Sequence, residues 1–302
     1  MQCAPPPSVT CSVFKMADEV LEADIACLDH YDYFFRPDLL SGKVAFITGG
    51  GSGIGFTIAE VFMRHQCSTV IVGRKFERLK KAAKKLEDLT GQKCLPVKMD
   101  VRKVSEVEAA IDMALKHFSR IDILVNGAAG NFLCPASQLS NKGIKTVFDI
   151  DAFGTFNVSK AIYSKCFKNN GGGSIINITA TLHYNGHPLQ CHAGSAKAAI
   201  EGMMRHLAVE WGPDGVRVNC VSPGAVKDTE GFRRLGGKQI PPNYVQNTPL
   251  QRLGTRRDVA DATLFLASGA SAFITSNTLI VDGGSWMTNP VSLATLKAIS
   301  KL

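Results

Sequence analysis

The chain has 302 residues, 45% of them hydrophobic, and a formal net charge of +8 from 34 Lys and Arg against 26 Asp and Glu. That composition describes a globular chain able to bury a sizeable core. No apolar run reaches membrane-spanning length, and the basic residues are too dispersed for a nucleic-acid surface. The basic excess fits an anionic ligand or simply a solubilising surface. Nine cysteines, scattered from Cys3 to Cys220, form no CxxC pair and no cluster with histidines. The spacing argues against a metal site and a disulfide framework, and for a reducing compartment.

Residues 1–40 read as an N-terminal extension and lead-in, of which 1–15 look like an unstructured stretch upstream of a natural start at Met16. From there β-rich apolar runs alternate with helical patterns. Strands are predicted at 43–48, 68–72, 93–99, 121–125, 174–178, 217–221 and 278–281. Helices are predicted from the Gly-rich turn to about Gln66, then over 76–89, 105–117, 142–168 and 190–211. In the last of these, Ala196, Ile200, Met203, Met204, Leu207 and Trp211 form one apolar stripe, read as core or subunit interface. Continuous apolar strands separated by helices indicate a parallel sheet covered on both faces. The fold class is therefore α/β, a single doubly wound Rossmann domain over 41–286 with about seven strands. The tail 287–302 ends in Ser300-Lys301-Leu302, the tripeptide that a peroxisomal import receptor reads.

Between the first strand and first helix stands Thr48-Gly49-Gly50-Gly51-Ser52-Gly53-Ile54-Gly55. Glycines there permit a tight turn and let backbone N–H groups approach a pyrophosphate at the helix N-terminus. The second strand ends in Gly73-Arg74-Lys75. Cations replace the carboxylate that would grip a ribose 2′-hydroxyl and repel a 2′-phosphate, so the pattern selects NADPH.

The Gly49-to-Gly55 spacing resembles the TGxxxGxG of the short-chain dehydrogenase/reductase family, and the resemblance extends over 43–286. Asp100-Val101 is similar to the family's adenine-contacting pair. The segment from Asn126-Gly127 to Gly130 resembles its NNAG turn, and Ser222-Pro223-Gly224 its PG turn beside the nicotinamide. Asp282-Gly283-Gly284 resembles its last-strand signature. Ala225, Val226 and Thr229, following the PG turn, are added to the implied cofactor contacts. A homo-tetramer is implied by the same resemblance.

The resemblance breaks at the catalytic positions. Lys197 occupies the family's lysine position, but Ala193 stands where the Tyr of Tyr-x-x-x-Lys belongs, Ala180 falls on or beside the Ser position, and Asp151 replaces the structural Asn. No tyrosine precedes a lysine by four residues, so carbonyl reduction by a phenol is not expected. One branch of the family dispenses with that Tyr, the 2,4-dienoyl-CoA reductases. Residues 126–137, 148–160, 192–199, 205–213 and 229–237 resemble its peroxisomal form. That resemblance implies hydride addition to the δ carbon of a conjugated thioester and protonation at the α carbon, giving a 3-enoyl-CoA. Lys197 is then expected to hold the nicotinamide ribose. Asp151 is expected to deliver the proton through a water, or else only to brace the helix.

Arg102, Arg233 and Arg234 are candidates for the CoA phosphates, or plain surface charge. Phe132, Ser140, Asn141 and Lys142 are candidates for the acyl path, or loop filling. Lys227-Asp228, His183, Tyr184, His187 and Gln66 depart from the branch's pattern. Tyr184 is a replacement proton donor or a packing residue. Two alternatives stay open: reduction of another enoyl-CoA, and a non-catalytic NADPH-binding scaffold.

Overall fold

Seven apolar runs pair as one parallel sheet in the computed structural model, which describes residues 22–235 and 242–288. The strands are β1 (Val44–Thr48), β2 (Ser68–Gly73), β3 (Cys94–Lys98), β4 (Ile123–Asn126), β5 (Gly173–Ile178), β6 (Val216–Pro223) and β7 (Thr278–Val281). Their order is β3-β2-β1-β4-β5-β6-β7, and every adjacent pair is parallel. Each predicted run is a strand. The helices are α1 (Gly53–Arg64), α2 (Phe76–Thr90), α3 (Val104–Phe118), α4 (Asn141–Phe148), α5 (Gly154–Ile162), α6 (Leu182–Asn185), α7 (Cys191–Trp211), α8 (Glu230–Arg234), α9 (Pro242–Asn247), α10 (Arg256–Ala267) and α11 (Ser285–Thr288).

Period-2 alternation sends each strand's side chains into two cores. Ala45 and Ile47 of β1 face a core built with α1, α2 and α10, whereas Val44 and Phe46 face one built with α3, α5 and α7. Chain direction across the sheet reverses between β1 and β4, and in doubly wound folds the crevice at that switch takes the ligand. The apolar stripe of α7 is core, with Ala196, Ile200, Met204, Leu207 and Trp211 all buried.

Two expectations are changed. The single helix predicted at 142–168 is α4 and α5 joined and followed by π turns at Asp149–Phe153 and Tyr163–Phe167. Hydrophobic periodicity cannot register one added residue per turn, and such bulges gather at functional sites. Residues before 41 are more than a lead-in. Ile25 and Leu40 join the core beside α1, and Leu28 N donates to both oxygens of the buried Glu60 at 3.0 and 3.1 Å. Residues 1–15 and the C-terminal Ser300-Lys301-Leu302 lie outside the described residues.

Gln66 closes α1 with φ +66°, a left-handed conformation that is costly for any residue with a Cβ. Gln66→Gly should stabilise the fold by roughly 0.5–1 kcal/mol, read as a Tm about 2 °C higher.

His65 is fully buried. Its Nδ1 donates to Arg36 O at 2.9 Å and its Nε2 accepts from Tyr31 Oη at 2.8 Å. Burial holds its pKa below the usual histidine value, against the pull of the Arg36 carbonyl. The folded state thus favours the neutral ring, and the unfolded chain binds more protons below about pH 6.5. Stability should be fully present above that pH and fall as the medium is acidified. In His65→Gln, thermal melts between pH 8 and 5.5 should show a lower Tm at pH 8 and a flatter loss than the parent.

Candidate active site

The β1–α1 turn forms the floor of a cleft of about 480 Å³ at the C-terminal edge of the sheet. Gly49 takes φ +72°, and a Cβ there would meet Gly127 O at 2.8 Å, while one on Gly55 would meet Gly49 O at 2.5 Å. Only glycines allow this approach of turn, helix and β4. Gly49, Gly51, Ser52, Gly53, Ile54 and Gly55 line the cleft, while Gly50 packs against Ile71 beneath it. Ser52 makes no side-chain cap on α1, so the first N–H groups of that helix are available to an anion.

The far wall carries Arg74, Lys75, Asp100 and Val101. Arg74 is exposed at the end of β2. Asp100 is held by Arg102, whose Nε donates to Oδ1 at 2.9 Å, and this guanidinium keeps the Asp100 carboxyl below its ordinary range. Arg102 therefore stands behind the wall, engaged with Asp100. Gly127 and Thr229 also line the cleft. Asn126 does not: it is buried, and its Nδ2 donates to Ser159 Oγ at 3.0 Å and Asn177 Oδ1 at 2.9 Å. Pro223, Gly224, Ala225 and Val226 sit beyond the lining, where Val226 bridges to Gly254.

Next to the cleft, the π turn places Asp151 against α7. Asp151 is 1% exposed; its Oδ1 accepts from Gly130 N at 2.7 Å and its Oδ2 lies 3.0 Å from Lys197 Nζ. Lys197 also donates to Ile178 O at 3.2 Å. The two sequence-predicted catalytic residues are thus brought together as a buried ion pair. Ala193, one turn before Lys197 on α7, is buried.

Of the candidate acyl-path residues, Phe132 and Ser140 come together at Gly143, while Asn141 and Lys142 are exposed. Phe132 stacks on His192 with ring centroids 4.3 Å apart and accepts His192 Nε2–H at its carbonyl. Ser140 caps α4 by accepting from Gly143 N, and a Cβ on Gly143 would meet Phe132 Cζ at 3.2 Å. Asn141 and Lys142 open that helix. Arg234 lines the cleft and pairs with Glu230, whereas Arg233 is paired with Asp24.

The residues that depart from the branch's pattern are turned elsewhere. Tyr184 Oη donates to Glu201 at 2.9 Å, and burial with that carboxylate pushes its pKa up to about 12. His183 Nε2 lies 3.2 Å from the same Glu201. Asp228 is exposed with φ +59° and lies outside the cleft lining.

Sequence reasoning missed Arg78, Glu230, Asn131 and His192. Arg78 had a readable signal, since it stands in the first turn of the helix that follows Arg74-Lys75. His192 Nδ1 is buried without a hydrogen-bond partner, and burial holds the ring's pKa below the usual value. Among the described residues, no three His, Cys, Asp or Glu side chains gather as around a metal ion, and no helix is long and apolar enough to cross a membrane.

Residues 49–285 match the family model described as Enoyl-(Acyl carrier protein) reductase. The peroxisomal 2,4-dienoyl-CoA reductase of Danio rerio is 57% identical over 90% of each chain. That of Saccharomyces cerevisiae is 43% identical over 83% of this chain and 87% of its own. Among solved structures, a citronellol catabolism dehydrogenase of Pseudomonas aeruginosa superposes with a TM-score of 0.75 at 35% identity, over 85% of this chain and 100% of that one. Fold and family together imply a nicotinamide cofactor for the glycine-floored cleft. The chain belongs to the short-chain dehydrogenase/reductase family.

Proposed function

We propose that the chain is an NADPH-dependent 2,4-dienoyl-CoA reductase acting in peroxisomal β-oxidation of unsaturated fatty acids and yielding a 3-enoyl-CoA. The observation that carries this reading is the buried Lys197–Asp151 pair beside an alanine in the family's tyrosine position. A site without a phenol is poorly equipped to protonate a carbonyl oxygen. It suits a substrate already activated by conjugation with a thioester, for which orientation and charge stabilisation do most of the work. The relatives from Danio rerio and Saccharomyces cerevisiae carry the same activity in their names.

When bound in the cleft, NADPH would supply the hydride for the δ carbon of the dienoyl thioester. The glycine turn and the N-terminus of α1 would hold its pyrophosphate, and Arg74 with Lys75 its 2′-phosphate. Lys197 would hold the ribose and lend positive potential to a site in which the thioester oxygen gains charge. Asp151 is fixed at both oxygens, by Gly130 N–H and by Lys197. A water on that carboxylate would give its proton to the α carbon, the hydroxide left behind taking up a proton from bulk solvent. Phe132, clamped by His192, and the start of α4 at Ser140, Asn141 and Lys142 border the acyl path. Of the three candidate cations for the CoA phosphates, Arg234 is the one that lines the cleft, paired with Glu230, while Arg102 and Arg233 must exchange Asp100 and Asp24 to serve there.

Ser300-Lys301-Leu302 supports delivery by a peroxisomal import receptor. The exposed Phe156 of α5 and Val209 of α7 support self-association, read with the family as a homo-tetramer.

Asp151→Asn keeps the shape and removes the charge. Its turnover of a 2,4-dienoyl-CoA, followed by NADPH absorbance, should fall about 100-fold or more with NADPH binding retained. Near-normal turnover by a folded variant would leave Asp151 a brace. NADPH binding with no turnover of dienoyl- or enoyl-CoA by the parent chain would instead favour a scaffold. Arg74→Ala should weaken NADPH binding by about 10- to 100-fold while leaving NADH binding nearly unchanged, measured by cofactor fluorescence. Equal losses for both cofactors would contradict 2′-phosphate recognition by this side chain.

A further inference from the structure

The segment before β1 lies outside the stretch matched by the family model, yet one of its carboxylates pairs with arginines at the rim of the cleft. Asp24 is 3% exposed. Its Oδ1 pairs with Arg233 of α8, and its Oδ2 lies 3.8 Å from Arg78 Nη2. Arg78 reaches in two further directions. Its Nε donates to Gly51 O of the glycine turn at 3.2 Å, and its Nη1 donates to Glu230 of α8 at 3.3 Å. Glu230 in turn pairs with Arg234. Asp24 is thus joined through arginines to the glycine turn, to α2 and to α8, and Arg78, Glu230 and Arg234 all line the cleft.

The two ends of this network are anchored unequally. Helix α8 buries none of its five residues, so the hydrophobic effect does little to hold it. What fixes it is the Thr229 cap, accepting from Phe232 N at 3.1 Å, and the ion pairs to Asp24 and Arg78. An element with few buried apolar contacts opens at low free energy unless something ties it down. The segment carrying Asp24 is tied to the core. Leu28 N is bonded to Glu60, Tyr31 to His65, and Ala26 O accepts from Arg256 Nη2 at 3.3 Å. Arg257 lies over the Tyr31 ring at 4.4 Å. A buried acid on the firm element therefore sets the place of arginines on and beside the loose one.

We propose that Asp24 is a positioning residue for cofactor binding: through Arg233 it seats α8 against the nucleotide cleft, and through Arg78 it braces the glycine turn. Arg78 Nη2 is buried without a hydrogen-bond partner and lies 3.8 Å from Asp24 Oδ2, so Asp24 is the charge that faces that edge of the guanidinium. The proposal rests on reading the cleft as the NADPH site.

The test measures NADPH affinity of the full chain by fluorescence titration, without substrate, alongside thermal melts. Asp24→Asn should weaken NADPH binding by about tenfold, a partly screened share of the cost of breaking a buried ion pair. Asp24→Glu should recover most of that loss. Arg233→Gln should weaken binding by no more than Asp24→Asn does, and the double variant should be no worse than Asp24→Asn alone, since that change already removes the Arg233 contact. In turnover assays the change should appear in the KM for NADPH more than in kcat. Unchanged affinity in Asp24→Asn overturns the proposal. So does tighter binding, the result expected if Asp24 acted only as a negative charge near a phosphate. Equal losses in Asp24→Asn and Asp24→Glu, tracking a lower Tm, would reduce the residue to a structural one and overturn it too. A parent chain that fails to bind NADPH would remove the underlying cofactor reading, whereas parent binding with an indifferent Asp24→Asn overturns the Asp24 role alone.

Discussion

The ion pair between Lys197 and Asp151 constrains everything around it. Two charges at 1% and 7% exposure have been taken out of water, and their attraction barely offsets that desolvation. A pair of this kind adds little net stability. Removing one partner, however, leaves an uncompensated buried charge, at roughly 3–5 kcal/mol. Its surroundings are accordingly arranged for satisfaction: Gly130 N–H on one carboxylate oxygen, the ammonium at the other, and the Ile178 carbonyl behind the ammonium. The π turn at Asp149–Phe153 is what brings a carboxylate to this point, because the added residue re-aims the helix where α4 runs into α5.

Around that fixed centre the molecule is held in two different ways. The sheet, α1, α7 and α10 are secured by apolar burial on both faces, and their geometry is insensitive to salt or to single surface charges. The rim of the cleft is secured by charge. Asp24 with Arg233 and Arg78 with Glu230 connect separate elements, while Asp100 with Arg102 and Glu230 with Arg234 stiffen one loop and one short helix. A cleft of this kind has a rigid floor and walls whose position depends on ion pairs, several of them part-exposed and open to exchange with a ligand's phosphates.

The seven strands and the glycine turn were legible because local signals and tertiary context agree: apolar runs bounded by turns become buried parallel strands. The helix through 142–168 was legible as helical but not as π-bulged, since Asp149-Ile150-Asp151 breaks no pattern that apolar spacing measures. Arg102 and Arg233 read as ligand cations because sequence displays charge without displaying its partner. Asp24 is too distant along the chain from Arg233 for any local rule to join them. Asn126, embedded in a motif expected to contact a cofactor, spends its own amide on Ser159 and Asn177. Motif membership locates a backbone position, not the direction of a side chain.

The vacant tyrosine position is answered by the cluster around Glu201. Glu201 follows Lys197 by one turn on α7 and is 3% exposed. Burial alone would raise its pKa, but His183, Tyr184 and Thr179 hold it below the usual glutamate range. As an acceptor it draws the Tyr184 hydroxyl to 2.9 Å, and that phenol is pushed up to about 12. A tyrosine so engaged is a poor acid at neutral pH, in contrast to a phenol whose pKa a neighbouring lysine lowers. The loop after β5 is therefore pinned to α7 by Glu201, with its one nearby phenol withdrawn from chemistry. Among the described residues Lys197 makes its ion pair with Asp151, so that pair and the Glu201 cluster stand as two separately satisfied charge sites on one helix.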